Sequence, residues 1–259
     1  MKNKLIFLGS GGSVGVPVIG CQCEVCCSKD PHNKRLRPSV ILFIKNRQFL
    51  IDCSPDFRLQ ALHYNISHLD GILLTHAHYD HTGGIDDLRP IYFKRKAPIP
   101  ILLSNETAQD LQSRYYYFFK STVEKEKFIS QLHLQLLPDV EGSVVFEDLP
   151  VQYVSFTQGG MSVNGYRIGD LAYLSDIRYY SPTIFESLKG VKHLIISALR
   201  YTPSALHFTV DEAIDFGREL KAEKIWLTHA SHELEYSQTN AYLPENFRLA
   251  YDGLEIEFD

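Results

Sequence analysis

The sequence lacks any apolar run that could cross a membrane. A spanning helix needs about 18 consecutive apolar residues, and no such run occurs in the 259 residues. The apolar stretch that follows the basic first residues, Leu5–Leu8, is too short for a signal peptide and resembles a first strand. We therefore expect a cytoplasmic protein that has no membrane partner.

An excess of positive charge is also missing. The formal net charge is −5, whereas a protein that grips nucleic acid through its phosphates usually carries a basic stripe. The two short basic clusters, residues 34–37 and 94–96, are interpreted as solvated loops. Nucleic acid is therefore an unlikely partner, and a small molecule is the expected substrate.

Cysteine is scarce and unevenly distributed. Only five cysteines occur, too few for a disulfide scaffold in a chain of this length, and four of them fall within seven residues: Cys21, Cys23, Cys26 and Cys27. In a reducing compartment such clustering favours metal binding over disulfides. The C-x-C-x2-C spacing is one ligand short of a structural zinc site, and His232 or Cys27 could be the fourth ligand. Free buried thiols are the remaining alternative.

Short apolar runs alternate with helical patterns along the chain. No repeat, low-complexity segment or long linker divides it, so we predict one domain over residues 1–259, with α/β sheets covered by helices. Helices are predicted at 56–63, 105–119, 183–189 and 210–221. Strands are predicted at 4–8, 39–44, 48–52, 70–74, 99–103, 151–156, 171–175, 193–197, 224–228 and 254–258.

Polar residues follow several of these strands directly. Thr75-His76 follows one strand, Ser175-Asp176 another, and Thr228-His229 a third. Loops at one rim of a rigid sheet commonly carry the chemistry of an enzyme. The pattern therefore indicates one shared site.

The densest group of candidate ligands is His76-Ala77-His78-Tyr79-Asp80-His81. Imidazole nitrogens and carboxylate oxygens are common ligands of zinc and related divalent ions. The spacing of His76 and His78 lets both reach one ion from an extended turn, while Asp80 and His81 begin the next helix and can face a second ion. Such a group rarely arises by chance in a surface loop.

This motif resembles the signature of the metallo-β-lactamase superfamily, whose αββα sandwich consists of two mixed β-sheets flanked by helices and binds one or two metals. The resemblance implies that His76 and His78 serve the first metal and that Asp80 and His81 serve the second. It further implies that Asp176 bridges the two metals and that His229 completes the second set. The expected cofactors are therefore one or two divalent ions, zinc or manganese.

The chain departs from the superfamily pattern at the first metal. A third histidine normally comes from a loop near the middle of the chain, yet none occurs between His133 and His193, and Gln158 stands in the corresponding place. An amide oxygen is a weaker zinc ligand than imidazole. Gln158 is thus a doubtful ligand, and either water fills the gap or the first site is partly occupied.

The order of the glycine turn, the cysteines and the Thr-His-x-Ser-His segment resembles the phosphodiesterases of the carbon–phosphorus lyase pathway. By this resemblance Cys21, Cys23, Cys26 and His232 hold a structural zinc. The implied reaction is hydrolysis of a small phosphodiester, such as a cyclic ribosyl phosphate, by a metal-bound hydroxide. Thioester hydrolysis is harder to exclude than lactam hydrolysis.

His207 and Asp80 are the expected catalytic residues. His207 precedes Thr209-x-x-Glu212, a capping box that opens a helix, and the free N–H groups of a helix start favour an anion. By the resemblance, His207 contacts the phosphate or protonates the leaving group; support of the cap is the structural alternative.

Three further features have less specific interpretations. Asp52 is expected to orient a ligating histidine. Residues 178–180 either approach the substrate or pack in the surface, and the aromatic run 115–119 is either core or the face of a homodimer.

Two other functions remain open: a non-catalytic binding or carrier protein of the same fold, and an endonuclease of the type that processes tRNA 3′ ends.

Overall fold

In the computed structural model, which describes residues 2–119 and 131–259, two β-sheets pack face to face. The first sheet contains β1 (Asn3–Gly9), β2 (Ser39–Ile44), β3 (Arg47–Ile51), β4 (Gly71–Leu73), β5 (Ile99–Leu103), β6 (Leu132–Leu136) and β14 (Glu255–Phe258), in the order β14-β1-β2-β3-β4-β5-β6. The second contains β7 (Glu141–Phe146), β8 (Leu149–Gln158), β9 (Met161–Ile168), β10 (Leu171–Leu174), β11 (His193–Ser197), β12 (Lys224–Thr228) and β13 (Phe247–Leu249), in the order β13-β12-β11-β10-β9-β8-β7. Both sheets are mixed, because β3 to β6 and β10 to β13 are parallel and the other pairs are antiparallel.

Helices cover the outer faces of the two sheets. In the described ranges they are α1 (Glu24–Cys27), α2 (Phe57–His63), α3 (Tyr79–Thr82), α4 (Arg89–Arg95), α5 (Asn105–Arg114), α6 (Tyr116–Phe119), α7 (Ile184–Ser187), α8 (Val210–Leu220) and α9 (Tyr236–Tyr242). None of the helices seen in this part of the chain is both long and apolar enough to cross a membrane.

The alternation of side chains along each strand produces three apolar layers. In β1, Leu5 and Phe7 face the second sheet, whereas Ile6 and Leu8 face the helices outside the first sheet. A third cluster lies between the second sheet and α8, to which Ala213 and Phe216 contribute. This layering confirms the predicted αββα sandwich.

Several elements differ from the sequence predictions. β6, β7, β9 and β13 were not predicted, because β7 is largely exposed and β9 contains Ser162, Asn164 and Gly165 instead of a clear apolar alternation. The predicted helix 105–119 is divided at Tyr115 into α5 and α6. Tyr115 and Phe118 are buried, so this aromatic run contributes mainly to the core.

The interpretation of the basic clusters as solvated loops was wrong for Arg35 in the first cluster, and the second cluster is solvated but forms the end of a helix. Arg35 is only 1% exposed, and Arg37 forms an ion pair with the buried Asp56. Lys94 and Arg95 lie in the last turn of α4, where cations interact favourably with the helix dipole. Arg35 is therefore part of the interior, whereas the other residues of the first cluster are partly exposed.

Three strand ends bring polar residues to one rim. Asp52 directly follows β3, Asp176 lies two residues after β10, and His229 directly follows β12. All three have left-handed backbone conformations, with φ of 61°, 57° and 59°. Such conformations are uncommon outside glycine and are concentrated at functional sites. Each sharp turn directs a polar side chain into the space above the strand ends.

Candidate metal centres

The turn after β4 brings three histidines to this rim. His76 and His81 are fully buried, whereas His78 is exposed. Nε2 of His76 lies 3.0 Å from Nδ1 of His78, so the two nitrogens converge from an extended turn as their spacing predicted. His81 lies on the short helix α3; its ring centroid is 4.1 Å from that of His76, and His76, His81 and Asp176 bring ligand atoms together.

A ring of two carboxylates and two imidazoles forms the deeper part of the site. Nε2 of His81 lies 3.0 Å from the Asp176 carboxylate and 3.4 Å from that of Asp80. Nε2 of His229 lies 3.4 Å and 3.3 Å from the same two carboxylates. All four side chains are buried. This donor set, with ligand atoms converging on one space, suits zinc or a related divalent ion.

The tautomer of His81 gives an independent indication of a cation. Nδ1 of His81 lies 2.6 Å from Asp52, to which it donates its hydrogen. In a neutral imidazole the other nitrogen then carries a lone pair, yet Nε2 faces Asp80 and Asp176 and has no hydrogen-bond partner. A buried lone pair that faces carboxylates requires a positive charge between them, either a proton or a metal ion. The residues present therefore fit a divalent metal.

The close packing of carboxylates and imidazoles in the ring also shifts their pKa values. Burial opposes ionisation of Asp80 and Asp176, but the adjacent histidines, above all His81 and His229, hold the pKa of both carboxyls below its usual range. Burial also disfavours the charged form of His81, yet Asp80, Asp52 and Asp176 raise its pKa well above the ordinary value. Burial lowers the pKa of His76 and so favours its neutral form. Ionised carboxylates and a neutral imidazole are the states that bind metal.

Gln158 lies at the end of β8, beside the first-metal side of the rim. Its Nε2 donates to Oδ1 of Asp176 at 2.9 Å and lies 3.1 Å from Nδ1 of His207. Its Oε1 is buried without a hydrogen-bond partner in the described structure. The amide thus supports the aspartate through a hydrogen bond, and only its oxygen remains free for an ion or a water.

His207 lies at the edge of the site and is 16% exposed. Its Nδ1 is 3.2 Å from Oδ1 of Asp176, and its ring stacks on His229 with centroids 5.2 Å apart. A carboxylate oxygen of Asp176 and ring nitrogens of His207 and His229 are close enough together to share an ion, so the geometry alone permits His207 to be a ligand or an acid.

The start of α8 offers less to an anion than the sequence suggested. The capping box of Thr209 and Glu212 is present. However, the N–H of Glu212 donates to Thr209, and the N–H of Val210 donates to the carbonyl of Arg200. These two N–H groups are therefore not free to bind an anion, and the expectation that the helix start favours an anion stays a prediction.

Other residues near the rim have clear structural roles. The carboxylate of Asp52 orients His81, which confirms its predicted role. Arg178 pairs with Glu212 at 2.6 Å, Tyr180 packs against the apolar cluster below α8, and Tyr179 is exposed. Of the segment 178–180, only Tyr179 is thus available to a substrate through an exposed ring.

Two contributors to the site were not found from the sequence. Thr75 donates its hydroxyl to Asp52 and lies 2.9 Å from Nδ1 of His76; its position after a strand was its only signal. Gly12 packs against His229, because a Cβ at this position would lie 3.3 Å from Nδ1 of that histidine. The glycine turn was visible in the sequence, but its contact was not.

The cysteine cluster forms a second candidate metal centre. Nδ1 of His232 lies 3.3, 3.4 and 3.5 Å from the sulfurs of Cys21, Cys23 and Cys26. Tetrahedral zinc with ordinary Zn–S and Zn–N bonds places such atoms about 3.6 Å apart, so the four donors fit the ion. A backbone hydrogen bond from Cys26 lowers the pKa of the Cys23 thiol to about 6, which favours the thiolate. Cys27 is exposed and lies outside the group.

Comparison with known proteins places these features in a family. The model of the beta-lactamase superfamily domain matches residues 47–230. The crystal structure of a diphosphatase from the PhnP family is 38% identical, with a TM-score of 0.92, and covers 100% of this chain and 98% of that chain. Zinc-bound PqqB from Methylobacterium extorquens has a TM-score of 0.77 at 16% identity, covering 98% of this chain and 100% of that one, a likeness of fold alone.

A curated relative is longer than this chain. An octanoyltransferase of Porphyromonas gingivalis is 37% identical over 261 residues, which cover 99% of this chain but 52% of that protein. This chain therefore spans about half of the relative's length. The matched domain model, the shared sandwich and the histidine–aspartate rim together show that the chain belongs to the metallo-β-lactamase superfamily.

Proposed function

We propose that this chain hydrolyses a small phosphodiester, such as a cyclic ribosyl phosphate. The observation that carries this proposal is the ring of Asp80, His81, Asp176 and His229, with the exposed His78 and the partly exposed His207 at its edge. A buried set of ligands that is accessible from one side matches what hydrolytic metals require.

The proposed metal ligands form two sets that share Asp176. His76, His78 and Asp176 would hold the first ion, with Gln158 contributing weakly or not at all. Asp80, His81, Asp176 and His229 would hold the second ion. Zinc or manganese bound there would lower the pKa of a water molecule and neutralise charge on the phosphate oxygens.

The chain's own residues have separate roles in this proposal. His207 donates a proton to the departing alkoxide, since it lies at the open edge of the site. Asp80 stays ionised beside His81 and His229 and accepts a hydrogen bond from the attacking water. Asp52 fixes His81, and the amide of Gln158 holds Oδ1 of Asp176. The Cys21, Cys23, Cys26 and His232 group holds a structural zinc that stabilises its loop.

The similar diphosphatase favours a second candidate of the same chemical type. Hydrolysis of a diphosphate would use the same ions and the same proton donor, since both reactions displace an oxygen from phosphorus. The name octanoyltransferase applies to a protein about twice as long, and the ring of metal ligands described here is not a requirement of acyl transfer. Phosphorus–oxygen hydrolysis is therefore the supported reaction class.

The two other functions considered from the sequence make different demands. A carrier of this fold would retain a small ligand without turnover. The main observation in favour of a carrier is that Gln158 stands where the superfamily has a metal-binding histidine. A tRNA 3′-end endonuclease would need a basic surface, whereas the chain carries a net charge of −5. A substrate panel distinguishes both of these functions from phosphodiester hydrolysis.

The test is a substrate panel with protein reconstituted in zinc or manganese. The panel contains a cyclic ribose phosphate, bis(4-nitrophenyl) phosphate, a nucleotide with an internal diphosphate bond, and a precursor tRNA. We expect turnover of a phosphodiester, with phosphorus NMR identifying the bond that breaks. The double variant Asp80→Asn/His81→Ala is the inactive control. Cleavage of precursor tRNA alone, or tight retention of a ligand without turnover, would contradict the proposal.

A further inference from the structure

We propose that the cysteine cluster and the histidine–aspartate ring are energetically coupled through Arg35, which acts as a positioning residue. This inference rests on the proposed metal ligands, but not on the identity of the substrate. Occupancy of the cysteine cluster would then set how tightly the ring binds its ion. The coupling passes through residues 229–235, named here the bridging loop.

The bridging loop contributes one histidine to each centre. His229 belongs to the ring, and His232, three residues later, converges on the three cysteine sulfurs. Between them, Ala230 donates to the carbonyl of Ser10 at 3.0 Å and Ser231 to that of Leu199 at 2.9 Å. Because so few residues separate the two histidines, a displacement of His232 is transmitted to the backbone of His229.

Arg35 holds this loop from the interior. Its guanidinium donates to the carbonyl of Ser231 at 2.9 Å and to that of Leu234 at 2.6 Å, and it also reaches the side chain of Asn33 at 3.1 Å. Its backbone N–H and carbonyl each pair with Val16 at 2.8 Å. The loop is therefore attached through one side chain to the segment that precedes the cysteines.

The attachment continues to the cysteines themselves. The N–H of Val18 donates to the sulfur of Cys26 at 3.3 Å, and Lys34 donates to the carbonyl of Cys26 at 3.1 Å. Asn33, the partner of Arg35, also binds Glu235 at 2.7 Å. Ser231, Leu234 and Glu235 of the bridging loop and the cysteine segment thus belong to one hydrogen-bonded network centred on Arg35.

The burial of Arg35 makes this network costly to rearrange. Among the described residues no carboxylate forms an ion pair with it, and burial lowers its pKa to about 10. Its charge is stabilised by the two loop carbonyls and, without direct contact, by the carboxylates of Asp252, Glu235 and Asp30. Displacement of the loop would leave the guanidinium and the two carbonyls unsatisfied. The loop therefore has one favoured position, which both centres share.

The experiment measures metal binding without substrate. Cobalt(II) replaces the native ions, because thiolate–cobalt charge-transfer bands report on the cysteine cluster. The cobalt bound at the ring is the total cobalt found by elemental analysis minus the amount that these bands give, and its affinity is measured in competition with a chelator. The proteins compared are the wild type, Cys23→Ser, the control Cys27→Ser, Arg35→Lys and the double variant Cys23→Ser/Arg35→Lys. Circular dichroism verifies that each is folded, and Cys27→Ser is matched because that thiol lies outside the cluster.

We expect Cys23→Ser to weaken cobalt binding at the ring about 10- to 100-fold, the usual effect of losing a group that supports a ligand. Arg35→Lys should weaken cobalt binding at the ring by a similar factor, since lysine cannot reach both loop carbonyls. The double variant should bind cobalt at the ring as tightly as the single variants do. Cys27→Ser should bind as the wild type does. Unchanged ring affinity in folded Cys23→Ser overturns the coupling, and additive losses overturn the role of Arg35. Neither result depends on the substrate panel, so the two proposals fail separately.

Discussion

The carboxylate of Asp52 accepts a hydrogen bond from Nδ1 of His81 at 2.6 Å, and both side chains are fully buried. The same carboxylate accepts the hydroxyl of Thr75, whose oxygen lies 2.9 Å from Nδ1 of His76. Asp52 thus fixes His81 directly and His76 through Thr75, leaving Nε2 of both rings free for an ion. One residue outside the ligand set therefore determines the state of two ligands.

Asp52→Asn should weaken divalent metal binding about 10- to 100-fold. An asparagine NH₂ facing Nδ1 of His81 would favour the other tautomer, which directs a hydrogen towards Asp176 instead of a lone pair. The measurement is competition with a chromogenic chelator. Asp148→Asn is the control, since Asp148 is exposed and pairs with Arg47 at the surface. Equal affinities of Asp52→Asn and wild type would refute the orienting role.

Gln158→His should increase the metal content per chain. An imidazole at the end of β8 would add the nitrogen ligand that this chain lacks at the first metal. Elemental analysis after dialysis against limiting zinc gives the stoichiometry. Gln152→His, an exposed position on the same strand, controls for adventitious binding to an added histidine. No gain over this control would show that residue 158 does not face the first ion.

His207→Ala should lower turnover of an alkyl phosphodiester about 10²- to 10⁴-fold, the usual contribution of a general acid. The loss should be much smaller for a 4-nitrophenyl ester, whose leaving group departs without a proton. Metal content should stay normal. His193→Ala, at the opposite end of the second sheet, is the control. Loss of metal from His207→Ala would instead identify His207 as a ligand, which its distance to Asp176 also permits.

Asp252 should make stability depend on pH. Its carboxylate accepts from Ser10 and from the N–H of Leu36, while burial raises its pKa to about 6. Because the folded state then holds the proton more tightly than the unfolded state, the contribution of Asp252 falls as the pH rises from about 4 to 6.

Asp252→Asn removes this titration. We measure the unfolding free energy of both proteins with denaturant. The value for the variant minus the value for the wild type should rise by roughly 2 kcal/mol from pH 4 to pH 7. The variant can be less stable at every pH, since an amide NH₂ cannot accept from Leu36. Both proteins have the same candidate metal ligands, so the difference between their unfolding free energies reports the effect of residue 252 alone. A difference that is constant with pH would contradict the raised pKa.

The sandwich and most members of the candidate site could be predicted because their signals are local. The histidine-rich turn follows a strongly apolar strand, and Asp176 and His229 also follow apolar strands, so their common rim was visible in the sequence. The residues alone left His232 and Cys27 as alternative fourth ligands of the cysteines; the family resemblance favoured His232, which is 206 residues from Cys26 in the sequence.

The remaining features depend on contacts that sequence patterns do not encode. Arg35 lies in a short basic cluster that looks like a surface loop, yet its partners are carbonyls 196 and 199 residues away. The replacement of a histidine by Gln158 was visible, but its hydrogen bond to Asp176 depends on how β8 approaches β10. The strands β7 and β9 lack a clear apolar alternation and are stabilised by backbone pairing with the neighbouring strands β8 and β10.

The unequal exposure of the histidines has a kinetic consequence. His78 is open to solvent, whereas His76, His81 and His229 are enclosed. An incoming ion therefore meets His78 first, and a competing chelator reaches the His76–His78 pair before the ring beneath it. If two ions bind as proposed, their loading and release should consequently proceed in sequence, with the outer ion exchanging quickly and the inner ion retained for longer.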